Sequence, residues 1–113
     1  MPKLPVPRKI VCGSHSYKVV LSRKASNRLS DEGNHGDVNH RTMEVRINLR
    51  RPDSQKTEAL IHEAIHIADT VFRSGEAMKE TQICLLSEGM TQIIKGWGVG
   101  FDWDSVRKRD RQG

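Results

Sequence analysis

The chain has 113 residues, room for one domain with one core, and its 35% hydrophobic and 29% charged content reads as a globular protein with polar ends. No apolar run approaches the roughly 18 residues that cross a bilayer, and the basic start lacks the apolar stretch of a signal peptide, so no membrane partner is expected and the expected compartment is the cytosol. The net charge of +5 gathers at the ends, in Lys3, Arg8 and Lys9 and in Arg107, Lys108, Arg109 and Arg111. That admits nucleic acid as a partner, yet no helix-turn-helix, finger or RNA-binding signature accompanies it, and solvated termini explain it better.

In chain order, residues 1–9, with Pro2, Pro5 and Pro7, are expected to form an extended basic arm. A single domain then spans 10–104, and 105–113 form a polar, basic tail. Ile10-Val11-Cys12 reads as a short strand, Gly13 to Ser16 as a turn, and Tyr17 to Leu21 as a strand returning antiparallel to the first. Residues 22–36 are polar and rich in breakers, which predicts a loop with at most one helical turn near Lys24 to Leu29. From Val38 to Asn48 the pattern alternates: Met43, Val45 and Ile47 point one way, Glu44 and Arg46 the other. That two-residue period predicts a half-buried strand, fed by a hairpin through Asn39 to Thr42. Pro52-Asp53-Ser54 announces a helix, with Asp53 or Ser54 as N-cap and a stop at Ser74-Gly75. A second helix is expected from Glu76 to Lys95, with Ile83, Leu86, Met90 and Ile93/Ile94 turned inward. Gly96, Gly98 and Gly100 end it, in a glycine-rich tail that has none of the marks of a phosphate loop. Cys12 and Cys84, without CxxC spacing, read as reduced, buried small hydrophobes.

His62-Glu63-Ala64-Ile65-His66 is an HExxH motif inside the first of these helices. Histidines four apart lie on one helical face, so both rings reach one ion, and the intervening Glu63 is turned about 100° away, near enough to touch water at that ion. The surrounding segment, with Leu60, Ile61, Ala64, Ile65, Ile67, Val71 and Phe72, is apolar nearly all round and predicts a core helix. Two imidazoles and a carboxylate are costly to bury without a partner, and a divalent cation supplies one. Catalytic zinc takes three protein ligands, and the third is expected from the second helix. Glu80 lies on or near its inward stripe, Glu88 further toward solvent, and Glu76 close to the turn. His15, His35 and His40 are weaker rivals, and Asp69 is positioned to accept the far N–H of a ligating ring.

The run from Gly36 to Asn48, the segment Thr57 to His66 and the later Glu80-Thr81-Gln82-Ile83, Leu86 and Glu88-Gly89-Met90 resemble the small zincin-like metallopeptidases of phages and prophages, minimal gluzincins. The resemblance covers about Ile10 to Lys95. It implies an α+β fold: a small antiparallel sheet packed on the HExxH helix, and a second helix bearing a glutamate. It also implies Zn2+ held by His62, His66 and Glu80, with Glu63 as general base. After Lys95 the chain departs from the pattern with Gly96-Trp97-Gly98-Val99-Gly100-Phe101. The expected reaction is zinc-assisted hydrolysis of a peptide or protein substrate, aligned by strand addition along Met43–Asn48, with Tyr17, His35 or His40 as oxyanion partner. The alternatives are a purely structural zinc site and a DNA-associated protease or adaptor that uses the basic ends.

Overall fold

A computed structural model describes residues 3–106. The basic cluster of Arg107, Lys108, Arg109 and Arg111 lies outside the described residues. Strand β1 covers Lys3–Leu4, β2 Lys9–Cys12 and β3 His15–Val20. Gly13, at φ +61, makes the tight turn between β2 and β3, which pair antiparallel from Lys9↔Lys18 to Cys12↔His15. The expected hairpin is present.

A helix, α1, occupies Arg23–Asp31 where a loop with at most one helical turn was expected. Ser22 starts it, its Oγ accepting from Ala25 N–H at 3.2 Å. Only Ala25, Ser26 and Leu29 are buried, so a single narrow strip on a polar segment holds this helix in place, too little to stand out as a periodic pattern. Strands β4, Gly36–Asn39, and β5, Glu44–Ile47, follow as an antiparallel hairpin. The Asn39 carboxamide closes its loop by accepting from the N–H groups of Arg41 and Thr42. Val45 and Ile47 are fully buried, as their alternation predicts.

The four strands order β2-β3-β5-β4, and the sheet is mixed rather than antiparallel because β3 and β5 run parallel. The connection between them is long and contains α1, and a helical crossover of this length lets the chain re-enter the sheet in the same direction. This order also removes an expected role for β5. Met43–Asn48 sits between β3 and β4 and has no free edge to offer a peptide; the outer strand on that side is β4.

Helix α2, Asp53–Phe72, packs on the sheet, and α3, Glu80–Gly96, runs back along α2. Pro52 rather than Asp53 or Ser54 takes the cap position, and Asp53 in the first turn pairs with Lys56 Nζ at 3.0 Å. At the other end Arg73 is extended, and Gly75 is not among the positive-φ residues. The α2–α3 connection is instead tied by Asp69, whose carboxylate accepts from Met78 N–H and from the Arg73 guanidinium at 3.1 Å. Along α3, Ile83 and Ser87 are buried and Ile94 is half-buried, whereas Leu86, Met90 and Ile93 stay exposed, Ile93 by 52%. The inward stripe expected there is thus narrower than its apolar spacing suggests, because α2 is the element that covers α3.

Among the described residues, 3–9 and 100–106 are tied to each other and to the core. β1 pairs in parallel with β6, Gly100–Phe101, Asp102 N–H donates to Leu4 O at 2.8 Å, and Val6, Trp103 and Val106 enter the main core. Trp103 Nε1 donates to Thr57 Oγ1 at 3.0 Å while Lys56 Nζ lies 5.1 Å from its ring centroid, so Trp103 closes over the start of α2. Prolines and short apolar pieces hid this, because two-residue strands leave no period to read. Among the described residues no helix is long and apolar enough to cross a membrane.

Gly36 lets β4 lie close against the backbone of β5. A Cβ there would meet Arg46 O at 2.9 Å and the Ala59 Cβ at 3.5 Å. Gly36→Ala is therefore expected to destabilise the fold by about 1–3 kcal/mol, as overpacking of a close contact does, in urea unfolding. An unchanged midpoint would mean that the strand can move away freely.

Candidate metal centre

Helix α2 presents His62 and His66 on one face, and their Nε2 atoms lie 3.2 Å apart. The first residue of α3, Glu80, reaches across to both: Oε1 is 2.8 Å from His62 Nε2 and Oε2 is 3.0 Å from His66 Nε2. Three donor groups from two helices thus converge on one point. The antiparallel return of α3, fixed by the Asp69 tie at the connection, brings Glu80 opposite the histidines. Glu76 and Glu88 are exposed and stand outside this cluster. Of the three glutamates weighed from the sequence, Glu80 is the one that meets the histidines.

Glu63 occupies the neighbouring face of α2, only 4% exposed, with Oε1 4.0 Å from His62 Nε2 and Oε2 buried without a hydrogen-bond partner. Burial pushes its carboxyl up from 4.5 to about 8, and the charges of Asp37 and Glu80 push the same way. Burial also lowers the His66 imidazole below its ordinary value, outweighing the opposing attraction of Glu80, with His62 and His40 adding to the lowering. The lowered value keeps the His66 ring in the neutral form that a cation needs, while Glu63 holds its proton more tightly.

The donor set fits a divalent metal. Two imidazole nitrogens and a carboxylate suit zinc, and bonds of about 2.0–2.1 Å in a tetrahedron give ligand-to-ligand edges of about 3.3 Å. The 3.2 Å between the two Nε2 atoms is near that edge, and each ring lies 2.8 or 3.0 Å from a different Glu80 oxygen, so the carboxylate spans both rings. The orphaned Glu63 oxygen adds a second reason, since a buried acceptor left alone is costly unless a cation or a polarised water faces it.

The far nitrogen of His62 is turned toward Ser87, with Oγ 3.5 Å from Nδ1. Ser87 is buried and its own proton goes to Cys84 O at 2.9 Å, so its oxygen could accept from a His62 Nδ1–H, the tautomer that would leave Nε2 free for a cation. Asp69, expected in that orienting role, instead serves the α2–α3 connection. Replacing Ser87 by Ala is expected to weaken zinc binding about tenfold in a competition titration, with the unfolding midpoint of the metal-free protein little changed. Equal affinity in the two proteins would free His62 from this dependence.

An open cleft of about 470 Å3 leads to these groups, lined among others by His35, Gly36, Glu58, Glu63, Glu80 and Cys84. Of the three expected oxyanion partners, His35 lines it. Tyr17 is buried and its hydroxyl is hydrogen-bonded to His40 Nδ1 at 2.9 Å, while His40 Nε2 lies 3.3 Å from Thr70 Oγ1. Cys84, expected to be buried, is exposed on α3 beside the site, whereas Cys12 is half-buried against the core. No place beside these groups was expected of Ser87 or Cys84. For Cys84 the signal was its position four after Glu80, the same spacing that joins His62 to His66. Compared with known proteins, the chain matches no family model, no curated sequence and no solved structure.

Proposed function

We propose that this protein is a zinc-dependent peptidase of the small zincin-like kind, working in the cytosol on a peptide or protein substrate. The observation that carries this reading is the convergence of His62, His66 and Glu80 within 2.8–3.2 Å, beside the buried, unpartnered Glu63 carboxylate, at the mouth of a cleft. His62, His66 and Glu80 would hold the ion. When bound, zinc supplies Lewis acidity that polarises a carbonyl and makes nearby water a better nucleophile at neutral pH. Glu63 accepts a proton from the attacking water and returns it to the amine that leaves. Its raised proton affinity in the metal-free fold suits a group that must take up and release a proton near neutrality. His35 at the cleft wall is the candidate for steadying the carbonyl oxygen. The β4 edge beside α2 offers an extended peptide a row of backbone partners that the interior strand β5 lacks.

Metal analysis of the purified chain, together with cleavage of an unstructured protein such as casein, tests the proposal. One equivalent of zinc, lost in Glu80→Gln along with cleavage, is the expected outcome. Zinc-loaded protein that cleaves no peptide from a broad library would leave a structural metal site in place of a peptidase.

A further inference from the structure

We propose that Cys84 is a fourth metal ligand, a thiolate that closes the centre and keeps the cleft latent until the side chain swings away. The inference rests on the reading of His62, His66 and Glu80 as a cation site and concerns how that site is regulated. The four-residue spacing that joins His62 to His66 on α2 also joins Glu80 to Cys84 on α3. Cys84 Sγ lies 3.9 Å from Glu80 Oε1, and His62, Glu80 and Cys84 offer donor atoms all within 4.8 Å of one another. A sulfur ligand sits further from zinc than nitrogen or oxygen, about 2.3 Å, which widens the edge to about 3.6 Å and leaves the sulfur a small movement short of ligation. Independently of the thiol, the unpartnered and 4% exposed Glu63 carboxylate lines the same cleft and marks it as built for a ligand.

The consequence follows from coordination number. Three protein ligands leave zinc an open position for water and substrate; four close it, as in structural sites. On ligation the Cys84 S–H bond breaks, the sulfur–metal bond forms and the proton leaves to solvent, with no change of oxidation state. Because Cys84 is exposed, rotation about its Cα–Cβ bond carries the sulfur away from the ion without disturbing the core. The chain then has a closed form with Cys84 bound and an open form in which Glu63 has water to act on.

Cobalt(II) replaces zinc as the probe, because a thiolate ligand gives cobalt a near-ultraviolet charge-transfer band that nitrogen and oxygen ligands do not. The parent protein with one equivalent of cobalt is expected to show the band. Cys84→Ser should keep the cobalt and lose the band, and Cys12→Ser should keep both. A parent that binds one equivalent of cobalt without the band overturns the role of Cys84 and leaves the three-ligand site standing. A parent that binds no cobalt or zinc overturns both. Should Cys84→Ser fail to fold, alkylation of Cys84 by iodoacetamide in the Cys12→Ser protein decides. One equivalent of zinc is expected to slow it at least tenfold and a chelator to restore it; an unchanged rate with zinc bound overturns the proposal.

Discussion

Glu63→Gln is expected to cut peptide hydrolysis by about a thousandfold while the protein still binds one equivalent of zinc, because general acid–base help is worth about 10²–10⁴ in rate. Glutamine keeps the shape of the side chain but cannot carry the proton. The same substitution has a second, opposite effect on the metal-free fold. Glu63 ionises near 4.5 in an unfolded chain and near 8 in the folded one, where burial disfavours its charge. Between those values the unfolded state holds fewer protons, so stability falls as pH rises across that window, by up to about 1.4 kcal/mol per pH unit, and levels off above it. His66, whose folded value is lowered, contributes with the opposite sign, gaining stability as pH rises through its unfolded value. Comparing parent with Glu63→Gln cancels the His66 contribution. Urea unfolding of the metal-free proteins at pH 5 and pH 8 should show the variant to be the more stable of the two at pH 8, with the gap closing at pH 5. A gap of equal size at both values would mean that Glu63 is ionised in the fold throughout. Cleavage that persists in the zinc-loaded variant would take the base away from Glu63.

Zinc at one hundred times its dissociation constant is expected to stabilise the chain by about 2.7 kcal/mol, the mass-action gain of a ligand that binds the folded state alone. For a domain of this size that is a rise of roughly 10 °C in Tm. His66→Ala and Glu80→Gln should each abolish the rise, the first by removing a nitrogen and the second by replacing a carboxylate that touches both rings. Glu88→Gln, on the exposed side of α3, should keep it. Differential scanning calorimetry with and without zinc reads all four proteins. A parent whose transition ignores excess zinc would show that the His62–Glu80–His66 contacts are no more than histidine–carboxylate hydrogen bonds.

The candidate centre was more legible in the sequence than the sheet around it, for physical reasons. Four-residue spacing on a helix is a local rule, so His62 and His66 could be placed on one face without knowing what lay nearby. Glu80 was favoured because it lay on or near the stripe expected to face inward and because the resemblance implied it. The parallel pairing of β3 with β5 is non-local; nothing in Tyr17–Val20 or Glu44–Ile47 states which neighbour each takes, and both pairings bury Val19 and Val45. Helix α1 is held by Ala25, Ser26 and Leu29 and by side-chain bonds such as Ser26 Oγ accepting from Leu49 N–H at 2.9 Å, contacts that exist only after β5 is in place. On α3 the apolar spacing was read correctly as a stripe but wrongly as buried, because periodicity reports that a face is apolar and not whether a neighbour covers it.

The clasp between Lys3–Leu4 and Gly100–Phe101 and the seat of Trp103 over Lys56 bear on how the molecule is made. A nascent chain paused on the ribosome with 100–106 still inside the exit tunnel lacks the indole that shields a wholly buried lysine amine, and the partner strand for its own first residues. Helices α2 and α3 can meet by then, but the base of α2 stays wet. Closure of the domain is therefore a late event, and arrest-peptide force measurements on a chain extended by a linker would register it as a pull once residue 106 clears the tunnel.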